Sequence, residues 1–293
     1  MVYYPAVLLE RRAENASFDL RSVLNRLYAS TGTFIGRANG YDFNIIAKKA
    51  PEISSDGFEL MMLPAWYGRL QEAARVLKSA KVYTPVMHFD KEIGNLLSLG
   101  EVEESKRLFS INCAFANSVG ARRGVLHLWG GMPSDCAFGV NSSALPFFYA
   151  KAKEYDIEIM VENIPCRMKT PLDRLREIKA KHESATFVFD TRFAAFSGEI
   201  DSFFNAGDMW NEAISHIHIS DYNGGGAEKG LIRPILHPGE GVIDFEDFFE
   251  RLPRYDGTVT LESPVLSAEG IIDIGKLNAT LSYLKRKLSE REG

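Results

Sequence analysis

Four residues of this chain offer the donor atoms that divalent cations favour: Glu162, Asp190, His218 and Glu262. Carboxylate oxygens with one imidazole suit a hard or borderline ion such as Mn²⁺, Mg²⁺, Co²⁺ or Zn²⁺. The gaps between them are 28 (190 − 162), 28 (218 − 190) and 44 (262 − 218) residues. Gaps of that size match successive strand–helix units, which would set the four side by side. Taken singly, each reads as an isolated polar residue or a rim charge. Four at equivalent strand ends are hard to bury unpaired, because each buried charge costs several kcal/mol. One shared cation removes that cost.

Such a placement needs a regular frame. Short β-rich runs at 58–63, 82–88, 124–128, 157–162, 186–190, 216–219 and 258–262 alternate with longer amphipathic stretches, and an earlier run at 4–9 would make eight strands. Helix ends are readable between them. Residues 101–119 carry Leu108, Ile111, Phe115 and Val119 on one stripe and close on Gly120; Thr170-Pro171 reads as a cap followed by proline at the first helical position. A final helix at 271–288 is expected to cover the end of the barrel. Residues 15–44 read as one or two helices with a Gly-containing break.

The alternation argues a parallel α/β fold, and the strand faces decide which one. In 157–162 the odd positions are aliphatic while Glu158, Met160 and Glu162 share the other face. Likewise Ile217 and Ile219 oppose His216 and His218, and Val259 and Leu261 oppose Thr258, Thr260 and Glu262. Strands of an open doubly wound sheet are covered by helices on both sides and are aliphatic on both. One aliphatic face and one mixed face ending in an ionisable group describes a barrel interior with its polar rim at the C-terminal end. The expectation is a single-domain (β/α)8 TIM barrel over 1–293, in which 1–56 forms an irregular first β/α unit.

Composition narrows the function. The chain has 293 residues, 45% hydrophobic and 25% charged, with net charge −5 and no basic run. Phosphate neutralisation supplies most nucleic-acid affinity, so a nucleic-acid partner is not expected. Cys113, Cys136 and Cys166 are odd in number and far apart, which argues against a disulfide framework or thiolate zinc site. No apolar run approaches the roughly 18 residues of a membrane span. The opening residues lack a leader-like pattern, and a reducing cytoplasm fits best. A homo-oligomer is compatible with the sequence but not specified by it.

Several stretches together resemble the xylose-isomerase-like TIM-barrel superfamily, which includes sugar epimerases and isomerases, inosose dehydratases, hydroxypyruvate isomerases and endonuclease IV. They are Val161-Glu162-Asn163, Phe189-Asp190-Thr191, His216-Ile217-His218-Ile219-Ser220-Asp221 and His237-Pro238-Gly239-Glu240-Gly241-Val242-Ile243-Asp244-Phe245. The resemblance covers roughly residues 55–290. It implies one divalent ion held by Glu162, Asp190, His218 and Glu262, and a small carbohydrate as substrate. The implied reaction is isomerisation or epimerisation of a sugar, sugar phosphate or sugar acid through an enediolate, with Glu162 and Glu262 exchanging protons. A dehydratase, a phosphodiesterase like endonuclease IV, and a silent sugar-binding barrel are the alternatives.

Around this centre, His88 and His127 at the ends of the third and fourth strands read as substrate contacts; endonuclease IV binds extra zinc through histidines at similar places. Glu59, Trp66 and His237 are placed with the substrate, and His216 and Asp221 behind His218, orienting it. Cys136 and Cys166, in loops after strands four and five, read as buried small side chains. Two departures from the family stand out. The Asp-x-x-His of many relatives is here Asp190-Thr191-Arg192-Phe193, and the Asp-x-His of endonuclease IV falls on Arg233 and Ile235. A three-zinc site therefore lacks three ligands. Phe193 is expected to wall the substrate, and Arg192 and Arg233 read equally as anion contacts and as surface residues.

Overall fold

Eight short parallel strands pair in sequence order and close into a barrel. They are β1 (Leu27–Ser30), β2 (Gly57–Met61), β3 (Val86–His88), β4 (Arg123–Leu126), β5 (Glu158–Glu162), β6 (Thr186–Asp190), β7 (Ile214–Ile219) and β8 (Thr258–Leu261). Closure is made by β1 against β8, with Leu27 opposite Val259 and Ala29 opposite Leu261. The computed structural model describes residues 27–226 and 232–290.

Among the described residues twelve α-helices follow the strands: α1 (Phe43–Lys49), α2 (Leu70–Ser79), α3 (Glu92–Ser98), α4 (Val102–Val119), α5 (Phe138–Ser143), α6 (Leu145–Glu154), α7 (Pro171–Lys181), α8 (Thr191–Phe196), α9 (Ile200–Phe204), α10 (Gly207–Glu212), α11 (Phe245–Arg251) and α12 (Ile274–Ser289). Two expected ends are realised as chemistry. Gly120 closes α4 at φ 87°, a left-handed conformation that glycine adopts without strain. The Thr170 hydroxyl accepts the Asp173 amide at 3.2 Å ahead of Pro171.

The N-terminal third corrects the sequence reading. The run at 4–9 lies outside the described residues. The first barrel strand is instead Leu27–Ser30, inside the stretch read as helical. Four residues are too few to show a two-residue period, and Leu and Ala favour helix locally. Pairing with β2 on one side and β8 on the other overrides that preference. The last helix also differs. It does not cap the barrel; it packs beside β1 through Leu277, Leu281, Leu284 and Leu288, closing the helix ring.

Alternation sorts the strand residues into two regions. Outward residues such as Leu60, Phe187, Phe189, Ile217, Val259 and Leu261 join the helices in one large apolar shell. Inside the barrel, a separate apolar cluster holds only Tyr28, Val86, Val125, Met160 and Val188. Apart from Met61 at the end of β2, most of the other described inward side chains are polar, and they support the site.

Candidate metal centre

The strand ends bring the four carboxylate and imidazole side chains together. Ligand atoms of Glu162, Asp190, His218 and Glu262 all lie within 4.8 Å of one another. Adjacent strands set this up through register: Asp190 pairs with His218 and His218 with Thr260, two residues before Glu262. His218 Nδ1 stands 2.7 Å from Glu162 Oε1 and 3.5 Å from Glu262 Oε1. Asp190 is fixed from both sides. Its Oδ1 accepts the Phe193 amide at 2.6 Å, capping α8. Its backbone is clasped by Asn163, whose Oδ1 accepts the Asp190 amide at 2.6 Å and whose Nδ2 donates to the Asp190 carbonyl at 3.2 Å.

Two buried oxygens at this centre have no hydrogen-bond partner, Glu162 Oε2 and Asp190 Oδ2. Buried polar atoms are almost always paired, and unpaired carboxylate oxygens are expensive. Three carboxylates and an imidazole converging around orphaned oxygens form a donor set that fits a divalent cation.

Protonation follows from the same crowding. Burial raises Glu262, His218 opposes it, and the charges of Glu162, Glu59 and Asp190 add to it, so the carboxyl keeps its proton up to about 7. Burial likewise holds Asp190 above the usual carboxylate range, only partly offset by Arg192. For Glu162 the outcome reverses: burial pushes it up, but His218 and His127 together take it well below the ordinary value. His218 itself is held well above its ordinary value, because Glu262, Glu59 and Glu162 outweigh its burial.

A second group shares Glu162. Ligand atoms of His88, His127 and Glu162 also lie within 4.8 Å of one another. His88 Nδ1 donates to the Phe89 carbonyl at 2.9 Å, leaving Nε2 to face Glu162 Oε2 at 3.6 Å. His127 Nε2 is 2.6 Å from the same oxygen, close but without hydrogen-bond alignment. The Phe193 ring stands edge-on to His127 at 6.4 Å between centroids and half-buried, on the side of the site away from β8. Arg192 is buried over that ring, 4.3 Å from its centroid, and reaches Ser220 Oγ at 3.3 Å and Asp190 Oδ2 at 3.9 Å.

Other residues read as substrate contacts from the sequence sit elsewhere. Trp66 is buried in the helix layer against Phe43 and Phe115, its indole N–H donating to the Tyr41 carbonyl at 2.6 Å. His237 bridges Thr280 Oγ1 at 2.8 Å and the Pro264 carbonyl at 3.2 Å, tying its loop to α12. Arg233 is exposed. Glu59 is fully buried beneath the centre, where its Oε2 accepts from His218 Nε2 at 3.0 Å and from His216 Nε2 at 2.9 Å. His216 therefore shares an acceptor with His218, and its ring stands edge-on to the His218 ring at 5.0 Å between centroids. Asp221 does not orient His218: its carboxylate accepts the backbone amides of Tyr222, Gly239, Gly241 and Ile243 and so folds the Gly-Glu-Gly turn. A Cβ on Gly241 would come 2.3 Å from the Tyr222 carbonyl, which is why the turn needs glycine there. Cys136 is exposed, and Cys166 half-buried with its thiol against the Ile164 carbonyl.

Sequence reasoning missed Asn163, Thr258 and Thr260. Asn163 adjoins Glu162 at a strand end, and the two threonines share the inward parity of Glu262, so the signal was present in both cases.

The family model for the xylose isomerase-like TIM barrel matches residues 47–286. This chain belongs to that family. Among solved structures, a D-tagatose 3-epimerase-like protein is similar with 20% identity and TM-score 0.66, over 92% of this chain and 100% of that one. D-allulose 3-epimerase from Methylomonas sp., in complex with D-allulose, gives 15% identity and TM-score 0.67 over 90% and 97%. The IOLI protein with a bound zinc atom gives 15% and 0.62 over 90% and 97%. At these identities the likeness establishes the fold. No curated protein matches the sequence.

Proposed function

We propose that this barrel is a metal-dependent epimerase or isomerase of a small sugar, sugar phosphate or sugar acid. The observation that carries the reading is the convergence of Glu162, Asp190, His218 and Glu262 around orphaned carboxylate oxygens at the C-terminal rim, where barrels of this kind build their active sites. The sugar substrates named for structures of the same fold give it a chemical class.

In this reading the four residues hold one divalent ion, which would supply charge to polarise a substrate carbonyl and favour the enediolate. Glu162 and Glu262 both face His218 Nδ1, and each carries two carboxylate oxygens, so that one would hold the ion while the other takes or returns a proton at the substrate carbon; at Glu162 that second oxygen stands 2.6 Å from His127 Nε2. Phe193 excludes water from one side of the site. Its ring favours a substrate with a less polar edge. Arg192, already committed to Ser220 and lying on Phe193, braces that wall.

The test is exchange of the carbon-bound hydrogen of candidate ketoses with heavy water, using metal-loaded protein. The wild type should exchange label. Glu262→Gln should abolish exchange more completely than it weakens metal binding, since an amide can still donate its carbonyl oxygen but cannot move a proton. Near-normal exchange in that variant would remove Glu262 from the proton-transfer role.

The His88, His127 and Glu162 group favours one second reading, a multi-metal phosphodiesterase. Phe193, Arg233 and Ile235 stand against it, because none can supply the missing metal ligands. Metal titration separates the two. One equivalent bound tightly and a second weakly supports the sugar enzyme, and two or three tight equivalents support the phosphodiesterase.

A further inference from the structure

A single file of polar side chains runs along the barrel axis from the N-terminal mouth to the proposed ligand cluster. It begins with Arg123, the first residue of β4, whose Nη1 donates to Thr258 Oγ1 at 3.0 Å; Thr258 is the first residue of β8. Thr258 Oγ1 lies 2.6 Å from His216 Nδ1. His216 Nε2 lies 2.9 Å from Glu59 Oε2, and the same oxygen lies 3.0 Å from His218 Nε2. Thr260 Oγ1 also donates to it at 3.0 Å. His216, Glu59, His218 and Thr260 are fully buried, so no water competes within this stretch.

The groups that can only donate or only accept assign the roles along this file; Thr260 Oγ1, 3.0 Å from both Glu59 Oε2 and His216 Nε2, gives its proton to the carboxylate. Guanidinium only donates, so Thr258 accepts from Arg123 and its one hydroxyl proton is free for His216 Nδ1. A carboxylate only accepts, so both imidazoles that meet Glu59 Oε2 must present N–H from Nε2. For His216 the two ends agree: Nδ1 receives and Nε2 gives. For His218, with one proton fixed on Nε2, Nδ1 is the nitrogen that faces Glu162 and Glu262; without a metal it donates a second proton to Glu162 Oε1 at 2.7 Å, and a bound cation would take the place of that proton.

We infer that Glu59 fixes the proton of His218 on Nε2, making Nδ1 its metal-binding atom, and that the Arg123–Thr258–His216 file holds Glu59 in that place, so that His216 and Thr258 are positioning residues that offer the ion no ligand atom. This rests on the reading of His218 as a metal ligand. Metal-bound histidines usually have their second nitrogen fixed by a carboxylate or carbonyl, and losing that partner weakens the metal roughly 10–100-fold.

Histidine-selective nitrogen NMR at neutral pH tests the file on the whole protein. In the metal-free protein His216 should be the Nε2–H tautomer, and in the zinc-loaded protein His218 should be too. His216→Leu, checked for folding by thermal melting, should weaken zinc at least about 10-fold. His216→Gln, which restores an N–H where Nε2 stood, should recover most of that loss. If His216→Leu does not fold, Thr258→Val serves, and should shift His216 away from a pure Nε2–H form while weakening zinc. His216 protonated on Nδ1, or unchanged zinc affinity in a folded His216→Leu, would overturn the inference. Zinc that fails to bind the wild type would instead overturn the ligand reading, while the His216 tautomer would still decide the polarity of the file.

Discussion

Along β7, Ile217 and Ile219 face the helices while His216 and His218 face the axis, and the two sides work on different physics. The outer shell is apolar and large, packed from Phe189, Phe203, Trp210 and Phe248 among many others. It stabilises by removing apolar surface from water, which is non-directional and tolerant of detail. The interior keeps one small apolar cluster and gives most of its remaining positions to polar residues, among them histidine, glutamate, threonine and arginine. There each polar atom needs a particular partner, and an unmet one is costly. The shell accounts for the fold and the interior for the chemistry. Changes in one region should therefore leave the other's property nearly alone.

The largest effect belongs to the interior. Glu162→Gln keeps the shape but removes a charge from both groups that share this residue. Metal affinity should fall by more than the roughly 100-fold that bounds the loss of an indirect partner, with the melting temperature of the metal-free protein lowered less than by a shell truncation, because the variant loses the charge that faces His218 and His127. Calorimetric titration and a thermal melt measure the two. A large loss of metal-free stability would break the separation of regions.

The reciprocal change is in the shell. Phe248 is buried against Phe189, Phe204, Phe245 and Phe249. Phe248→Ala should cost about 3–5 kcal/mol of stability in denaturant unfolding. Metal affinity of the folded fraction should not move.

A smaller effect sharpens the comparison through pH. Glu262 keeps its proton in the fold up to about 7, whereas an unfolded glutamate loses it near 4.3. Between those values the folded state binds more protons than the unfolded one. Stability of the metal-free protein should therefore be greatest below about pH 4–5 as far as Glu262 is concerned, and fall as pH rises to about 7, by up to about 3 kcal/mol. Asp190 and His218, both shifted upward, act in the same direction. Saturating metal should abolish the slope, because a cation takes the place of the protons. His216, lowered to about 4 by burial, acts the other way over part of this range, so the Glu262 contribution is read as the difference between metal-free melting curves of the wild type and Glu262→Gln; no difference in their slopes would contradict the crowding described here.

How far the sequence carried this picture follows from the same two regions. Strand residues with strict two-residue alternation, such as Ile217 and Ile219 against His216 and His218, announced the barrel and the inward set. The four converging residues were legible because they stand at strand ends, where parity still fixes direction. Past the strand end parity is lost. Asp221, two residues beyond β7, looked like a partner for His218 but turns to collect backbone amides. Trp66 and His237 lie in turns, where spacing says nothing of direction, and both serve packing. Glu59 was legible as inward-facing but not for its depth, since nothing local tells how far along the axis a strand residue sits. β1 was hidden because four residues flanked by good helix formers carry too little pattern, and only the partner strands reveal them.

The central claim is that one divalent cation sits among Glu162, Asp190, His218 and Glu262. Anomalous diffraction from crystals equilibrated with Mn²⁺ or Co²⁺ tests it most directly. The account predicts one strong peak within about 2.0–2.6 Å of His218 Nδ1 and of a carboxylate oxygen from each of the other three. No peak there at saturating metal, or a strongest peak between His88 and His127 instead, would contradict it.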